Sequence, residues 1–410
     1  MTKLCKDRDF RPMATLTNTS RICGRCLGDP VLTSRIESSG PMRTCALCER
    51  NRATMALGTL ARSVAPVLLR HYEVATEEPS FDSSRILTFA DVLGRVFPRA
   101  ASRRVLDVIG MSLLSNYGDR SGPDSDFWLE DQRYEVAFPF WAEVANERWD
   151  RFRRRTLNRR TLSTASRRFL AWLFDDVHNM TVRATRKGAR ARPVITRVSR
   201  DTPLYRGRIP RSSAARDAIH HDPARQMFTP PAALTPQGRM NRAHSPVFYG
   251  AFDRETCVAE TRPSISDDVY TAEFRVTRDL VALDLGLLDL AFDQQPSFFR
   301  RDYKRERTRR EILKKIHEFI RAPVRPDDHH EYGATQSVAD YLATVLNPPI
   351  DAVIFISSQR EKGRNLVIFQ PELALEYMAH SLWFHTVKAV EYRAWSFPYI
   401  AEKPRRMMFS

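Results

Sequence analysis

Four cysteines near the start of the sequence have the spacing of a metal site. Cys23 and Cys26 form one Cys-x-x-Cys pair, and Cys45 and Cys48 form a second pair after a gap of eighteen residues. Two residues between cysteines allow both thiolates to reach one tetrahedral ion, and a gap of this length is typical of four-cysteine zinc sites. The pattern predicts a structural zinc site, with redox-active thiols or chance pairs as the alternatives. Cys5 has no predicted role.

The second half of the chain contains polar residues that could bind an anionic substrate. Arg206 lies in an apolar run, Arg239 and Asn241 belong to a turn-like Gly-Arg-Met-Asn segment, and Tyr249 precedes Glu260 by eleven residues. Arginine binds phosphates through forked hydrogen bonds, and a carboxylate can stabilise a developing cation. Each residue alone has an ordinary structural explanation, such as an edge ion pair, a core tyrosine or a solvated helix face.

Three further polar residues follow near the end of the chain. Ser357 and Ser358 end an apolar run, and Asn365 precedes the next apolar run. Serines at the end of a strand often do no more than satisfy backbone groups of the turn. The order of these polar residues along the chain is therefore a stronger indication of a functional site than any one of them alone.

The hydrophobic pattern divides the chain into four parts. Residues 1–55 are polar and cysteine-rich, residues 56–180 have helical spacing, residues 181–200 are basic and broken by Gly and Pro, and residues 201–400 mix short β-branched runs with helices. The predicted fold class is multidomain: a small zinc-binding module, an all-α helical bundle, a basic linker, and an α+β domain.

The individual elements follow from the same spacing. Predicted helices of the middle part lie at 53–72, 89–97, 101–117, 134–155 and 161–178, and Pro66 is expected to begin or kink the first of them. In the last part, the runs PLYRGRI, HSPVFYGAF, DVYTAEFRV and DAVIFIS predict strands, and residues 255–261, 298–320 and 335–346 predict helices.

Charge and composition narrow the function classes. The net charge is +16, and residues 150–200 hold fifteen Arg or Lys and three Asp, which would attract nucleic acid or phosphorylated ligands. A solvated helix face or an acidic protein partner would explain the same charge. No apolar run is long enough for a transmembrane helix and the first residues are charged, so we expect a soluble, cytoplasmic protein. The dinucleotide glycine fingerprint is missing, which argues against an oxidoreductase.

The order of the polar residues in the second half resembles the RES domain. That family has an arginine in a strand, a Gly-Arg-x-Asn turn, a tyrosine, a helix with Ala-Glu, a run ending in Ser, and a late Asn. The helix with Tyr332 and Gln336 also resembles the family's Gln-containing helix. Residues 351–353 read Asp-Ala-Val in place of Asp-Gly-Ile, and Phe355 stands where Tyr is usual. The resemblance covers about residues 195–400.

This resemblance implies a fold similar to ADP-ribosyltransferases and cleavage of the nicotinamide–ribose bond of NAD, by a glycohydrolase or phosphorylase reaction. It implies catalytic roles for Arg206, Tyr249, Glu260 and Ser357, and NAD contacts from Arg206, Arg239, Asn241, Tyr249, Ser357, Ser358 and Asn365. The register of the two serines is ambiguous by one residue. RES proteins act as toxins, often with a cognate antitoxin, so an antitoxin is an expected partner.

Residues 56–180 resemble the HEPN-like helical region of some RES proteins. HEPN nucleases use an Arg followed after four to six residues by His, and this pattern is not found between residues 56 and 180. Two alternatives to an NAD-degrading enzyme remain. One is a zinc-containing, basic nucleic-acid-binding protein with an inert RES scaffold, and the other is a protein ADP-ribosyltransferase. Loss of NAD in solution distinguishes the enzyme from the binding protein.

Overall fold

The computed structural model describes residues 16–75, 86–118, 121–122, 124–129, 131–137, 140–157, 161–182, 190–293, 296–322 and 332–390. Cys5 lies outside them. Internal contacts divide the chain into unit 1, Met1–Asp150 with Phe292–Leu313, and unit 2, Arg151–Ala291 with Lys314–Ser410. This division differs from the predicted four parts, because residues 151–180 group with the C-terminal sheet.

Unit 1 begins with a small antiparallel sheet. Its elements are β1 (Arg21–Cys23), α1 (Gly24–Leu27), α2 (Pro30–Ser39), β2 (Met42–Thr44) and β3 (Asn51–Ala56), and the strand order is β1-β3-β2. Asp29 begins α2 by accepting hydrogen bonds from the backbone N–H groups of Val31 and Leu32. Residues 53–56 belong to β3 rather than to the predicted helix, because they pair with strands on both sides.

Three helices and two short strands follow the small sheet. The helices are α3 (Leu57–His71), α4 (Phe89–Val96) and α5 (Arg103–Tyr117), and the strands β4 (Tyr72–Val74) and β5 (Tyr134–Val136) pair with each other. The predicted apolar face of α3 is buried, from Leu57 to Leu68. Pro66 lies inside this helix and does not begin it. Because β4 and β5 form a ladder and α6 (Phe140–Thr156) starts only at Phe140, the prediction of one helix over 134–155 was wrong.

Unit 2 contains most of the regular structure. After the boundary inside α6, the remaining elements are α7 (Thr164–Leu173), β6 (Thr181–Val182), β7 (Arg192–Pro193), β8 (Ile195–Val198), β9 (Pro203–Arg208), α8 (Ser213–His221), α9 (Pro223–Met227), β10 (Phe248–Ala251), α10 (Arg254–Glu260), β11 (Asp268–Val276), β12 (Leu280–Asp284), α11 (Leu285–Asp293), α12 (Tyr303–Arg321), α13 (Tyr332–Thr344), β13 (Ala352–Ile356), β14 (Arg364–Ile368), β15 (Leu375–Tyr377) and β16 (Trp383–Thr386). The end of α11 and the first half of α12, within Phe292–Leu313, belong to unit 1.

Nine strands of unit 2 form one mixed sheet. The order is β15-β11-β9-β10-β14-β13-β12-β8, and β16 also pairs with β11. Only the β12–β13 pair is parallel within the described ladders. Leu204, Phe248, Phe274 and Leu366 are fully buried in a core on one face of this sheet. The predicted α+β character of the C-terminal half is confirmed.

The segment 181–200, predicted to be a linker, contains an edge strand of this sheet. β8 pairs with β12 over four residues, and Val198 is 5% exposed in the core. Arg and Thr at the other positions of the strand mask the apolar pattern that would reveal it. Within the described parts of the chain, no helix is both long and apolar enough to cross a membrane.

Candidate active site

The large sheet opens between two of its central strands. In the described residues of β9 and β10, the ladder joins only Tyr205 to Ala251, so the residues beyond this pair separate. A cavity of about 300 Å³ lies there. Its walls are formed by Tyr205, Arg206, Gly207, Tyr249, Gly250, Ala251, Cys257, Glu260, Thr261, Phe355, Asn365 and Leu366. The sequence-predicted residues Arg206, Tyr249, Glu260 and Asn365 therefore share one cavity.

Arg206 brings a buried cation to this cavity. Its guanidinium carbon lies 5.3 Å from the centroid of the Phe248 ring. Its Nη1 atom is buried, and no hydrogen-bond partner for it is found among the residues that the structure describes. Burial, with a smaller contribution from Arg208, lowers the pKa of Arg206 to about 10. The side chain remains charged at neutral pH, so an anionic ligand in the cavity would offset its positive charge.

Glu260 reaches the cavity from the last turn of α10. This helix begins at Asp253, whose carboxylate accepts the backbone N–H of Thr256 at 2.7 Å. Gly207 allows the helix to approach β9 closely: a Cβ atom there would lie 2.7 Å from Thr261 Cγ2 and 3.1 Å from Cys257 Sγ. The glycine thus sets the distance between the strand of Arg206 and the helix of the carboxylate.

Two donors fix the Glu260 carboxylate. Ser357 Oγ donates to its Oε1 atom at 2.6 Å, and Asn365 Nδ2 donates to the same atom at 2.8 Å. Ser357 and Asn365 come from the facing ends of β13 and β14, and both are buried. Both donors bind Oε1, so the carboxylate is oriented while Oε2 can still accept a hydrogen bond from a ligand.

The structure separates the two candidate serines. Ser357 Oγ accepts hydrogen bonds from the backbone N–H groups of Gln359 and Arg360, each at 3.1 Å. These bonds direct its own O–H toward Glu260. Ser358 is exposed, and its hydroxyl accepts a hydrogen bond from the side chain of Gln359. Only Ser357 is part of the group around the carboxylate.

Tyr249 presents its ring to the cavity while its hydroxyl is used within the protein. The hydroxyl donates to Asn241 Oδ1 at 2.9 Å and accepts the backbone N–H of Met240 at 2.9 Å. Burial raises the pKa of Tyr249 well above its usual range, so it stays a neutral phenol. A ligand would therefore meet the aromatic face of this residue, not a free hydroxyl.

Asn241 is not among the residues that line the cavity. It is 5% exposed, and its amide donates to the carbonyl groups of Pro236 and Arg242. In the described part of the chain its side chain bonds to other protein groups, so the structure supports a role in positioning Tyr249 rather than the predicted contact with NAD. The Gly-Arg-Met-Asn segment does form a turn, as the sequence predicted, but the turn holds Tyr249 in place and does not line the cavity.

The guanidinium of Arg239 also points away from the cavity. Its Nη1 donates to the carbonyl of Phe319, and its guanidinium carbon lies 5.6 Å from the Tyr332 ring centroid. Burial lowers the pKa of Arg239. The structure therefore brings Arg206, but not Arg239, to the cavity wall. The expected pair of arginines on one pyrophosphate is not formed in this conformation, because the turn that supports Tyr249 directs the second side chain toward α12 and α13.

Gln336 is a positioning residue that the sequence analysis named only through the family resemblance. Its Nε2 atom donates to the carbonyls of Gly238 and Asn241, both at 2.9 Å, and the side chain is 4% exposed. Thr335 holds the same turn through a 2.6 Å hydrogen bond to the Arg239 carbonyl. In the sequence, this role could have been inferred from the presence of a polar residue on the otherwise apolar, buried face of α13.

Replacing Gln336 by leucine should destabilise the protein. The change leaves two buried carbonyls without their donor, and each unsatisfied group costs about 1–3 kcal/mol. We expect a loss of about 3 kcal/mol in the free energy of unfolding, measured by urea denaturation. Gln359→Leu, at an exposed position, serves as the control. An unchanged stability of the Gln336 variant would contradict the supporting role of the turn.

Cys257 is buried, and it also lines the cavity. Burial raises the pKa of its thiol to about 12. A thiol with this pKa is a poor nucleophile at neutral pH. Cys257 therefore acts as part of the wall, and Tyr205 and Thr261 are two further wall residues that no sequence motif indicated.

The four N-terminal cysteines form a second site in unit 1. The sulfur atoms lie 3.6 Å apart for Cys23 and Cys26, 3.7 Å for Cys23 and Cys48, and 3.8 Å for Cys26 and Cys45, and all four lie within 4.8 Å of one another. Four sulfurs at about 2.3 Å from a tetrahedral zinc ion would be about 3.8 Å apart. The four side chains can therefore hold a metal ion, and the predicted grouping of these cysteines is confirmed.

Comparison with known families agrees with the geometry. Residues 208–386 match the family model of the RES domain. A search among curated proteins gave no match. Tyr249, Glu260, Ser357 and Asn365 lie inside the matched range, and Arg206 lies just before it. Residues 208–386 of the chain are therefore identified as a RES domain.

Proposed function

We propose that the cavity cleaves NAD at the bond between nicotinamide and ribose. The observation that carries this proposal is that one cavity is lined by the oriented carboxylate of Glu260, the half-buried guanidinium side chain of Arg206 and the ring of Tyr249. NAD has one chemical group for each: ribose hydroxyls for the carboxylate, a phosphate for the arginine, and a flat ring for the tyrosine.

The reaction needs little acid catalysis from the protein. When the C1′–N bond breaks, its electron pair stays on the nicotinamide nitrogen and neutralises the positive ring, while the ribose becomes an oxocarbenium ion. A water molecule then forms the new C1′–O bond and loses a proton to solvent, which yields ADP-ribose. Inorganic phosphate as the acceptor would instead yield a ribose 1-phosphate linkage.

In this proposal the carboxylate of Glu260 binds a ribose hydroxyl through Oε2 and stabilises the cation that develops at C1′. Ser357 and Asn365 hold the carboxylate in position, so they act mainly through Glu260. Tyr249 orients nicotinamide against its ring face. Arg206 binds a phosphate oxygen with its guanidinium group, since this residue lines the cavity.

The test is mass spectrometry of NAD incubated with the purified protein, with and without phosphate. Nicotinamide and ADP-ribose without phosphate dependence would identify a glycohydrolase. A product heavier by phosphate would identify a phosphorylase, and an ADP-ribose mass added to protein would identify a transferase. NAD that stays intact in every condition would contradict the proposed function.

If NAD is lost, the family resemblance suggests a toxin or defence effector that an antitoxin protein restrains.

Replacing Arg206 by lysine should weaken substrate binding more than it slows the reaction. Lysine keeps the charge but lacks the planar fork, so one hydrogen bond to phosphate is lost. We expect the KM for NAD to rise roughly tenfold to a hundredfold and kcat to change less, in steady-state assays of nicotinamide release.

Arg211→Lys is the matched control, because this arginine follows β9 closely and its side chain is 72% exposed. Its KM should equal that of the wild type. If Arg206→Lys leaves KM unchanged and lowers only kcat, phosphate binding by Arg206 is the wrong interpretation.

A further inference from the structure

We propose that one face of the N-terminal three-stranded sheet binds the phosphodiester backbone of a nucleic acid. This face, called the arginine face below, carries Arg21 on β1, Arg43 on β2 and Arg52 on β3. It lies in unit 1, whereas the NAD cavity belongs to unit 2. The inference does not rest on the proposed NAD chemistry.

The strand register puts the three arginines on the same side. Arg43 and Arg52 are direct partners across β2 and β3. Arg21 is opposite Ala56, and residues 52, 54 and 56 share a face because side chains alternate along a strand. Arg21 confirms this by donating from Nε to Thr54 Oγ1 at 3.0 Å.

On the other side of the sheet, β1 and the second half of β3 face the core of unit 1, whereas Met42 on β2 is exposed. Ile22 is fully buried there, and Ala53 and Met55 pack against the same apolar cluster. On the arginine face, Thr54 is buried beneath Arg21, Arg43 is exposed, and Arg21 and Arg52 are partly exposed. The guanidinium groups are therefore the polar groups that a ligand would contact on this surface.

The positive charge of this face is not balanced locally. The three strands contain no Asp or Glu, and in the described part of the chain none of the three arginines forms an ion pair with a carboxylate. Like charges placed directly opposite each other on neighbouring strands are destabilising. A bound polyanion would relieve the repulsion between Arg43 and Arg52.

Two exposed arginines lie within or next to the cysteine pairs. Arg25 lies between Cys23 and Cys26, and Arg50 follows Cys48 after the exposed Glu49, whose negative charge offsets part of theirs. The strands end at the same cluster, since Cys23 ends β1 and Cys45 follows β2 directly. A metal ion held by these cysteines would fix the strand ends, so the face would be formed before its ligand arrives and less ordering would accompany binding.

The chemistry favours nucleic acid over an acidic protein. A protein interface usually has an apolar centre, whereas nucleic-acid interfaces are polar and positively charged. Between the arginines this face carries the buried Thr54 and Cys23 and the small Ala56. The exposed Met42 lies on the opposite side, because it is opposite Ala53. Forked guanidinium groups bind phosphate oxygens with two parallel hydrogen bonds.

The test uses the full chain and fluorescein-labelled single-stranded RNA and DNA of about twenty nucleotides. Anisotropy is followed at several salt concentrations from ~50 to ~200 mM. The wild type should bind, and the double variant Arg43→Gln/Arg52→Gln should bind at least about tenfold more weakly. Losing two phosphate contacts should also reduce the slope of log K against log salt by about 1.4. Comparing the affinity for RNA with the affinity for DNA shows which of the two nucleic acids the face binds more tightly.

The double variant Arg62→Gln/Arg70→Gln is the matched control, since it removes the same charge from exposed positions of α3 in the same unit. It should keep nearly wild-type affinity. The melting temperature of Arg43→Gln/Arg52→Gln should stay equal or rise, because repulsion is removed, which separates lost binding from unfolding. Equal losses in both double variants, no binding by the wild type, or displacement by poly-glutamate more readily than by nucleic acid would overturn the proposal.

Discussion

Glutamine in place of Glu260 is expected to slow NAD breakdown about 10³-fold, which corresponds to about 4 kcal/mol of transition-state stabilisation. The carboxylate is half-buried, and two neutral donors orient it toward the cavity. Glutamine keeps an oxygen that can accept the hydrogen bonds from Ser357 and Asn365, so the local structure should survive. What is lost is the negative charge that faces the oxocarbenium ion.

The rate of nicotinamide release measures this effect, and the melting temperature checks the fold. Glu255→Gln is the matched control, because Glu255 lies on the same helix α10 with a side chain 75% exposed. Its rate should equal that of the wild type. A Glu260 variant that is fully active would show that the carboxylate has no part in the chemistry, even if NAD is consumed. A wild type that never consumes NAD would contradict the function itself.

Loss of the metal from the cysteine cluster should unfold the N-terminal sheet. Cys23, Cys26 and Cys45 are buried in the core of unit 1, and structural zinc contributes about 10–16 kcal/mol in small zinc-finger peptides. Cys26→Ser should therefore contain no zinc, against one ion per chain in the wild type. Hydrogen exchange of the amides of β1 and β3 should become fast in this variant.

Elemental analysis and hydrogen-exchange mass spectrometry check this prediction. Cys257→Ser is the control for replacing a buried cysteine, because Cys257 belongs to unit 2, and it should keep its zinc. Wild-type protein purified without zinc, yet protected over β1 and β3, would contradict a metal-stabilised fold. Retention of zinc by Cys26→Ser would contradict the predicted ligand set.

Much of the candidate site could be predicted because its residues follow an order along the chain that resembles the RES domain. Arg206 and Glu260 each have an ordinary structural explanation when taken alone, but their place in this order assigned them to the site, and both line the cavity. The two cysteine pairs are equally clear, since their spacing alone allows a tetrahedral ion. The structure adds that Ser357, not Ser358, contacts Glu260.

Other parts required the three-dimensional arrangement. The turn of residues 238–241 contains Arg239, but the direction of that side chain depends on Phe319 and Tyr332, which are distant in sequence. The strand β8 was assigned to a linker, because its pairing partner β12 lies some eighty residues later. Sequence periodicity reports local burial and cannot report which strand supplies the other half of a ladder.

The amino-acid sequence by itself determined the grouping of the four cysteines and the mixed α and β character of the second half. These depend on residue type and on short spacing along one chain segment. The polar residues proposed to act on NAD were instead indicated by their order along the second half, through the resemblance to the RES domain. The tertiary structure alone decided that β9 and β10 separate after a single pair, and so where the cavity opens. It also decided which arginine enters that cavity, because a side chain is directed by neighbours that only folding brings together.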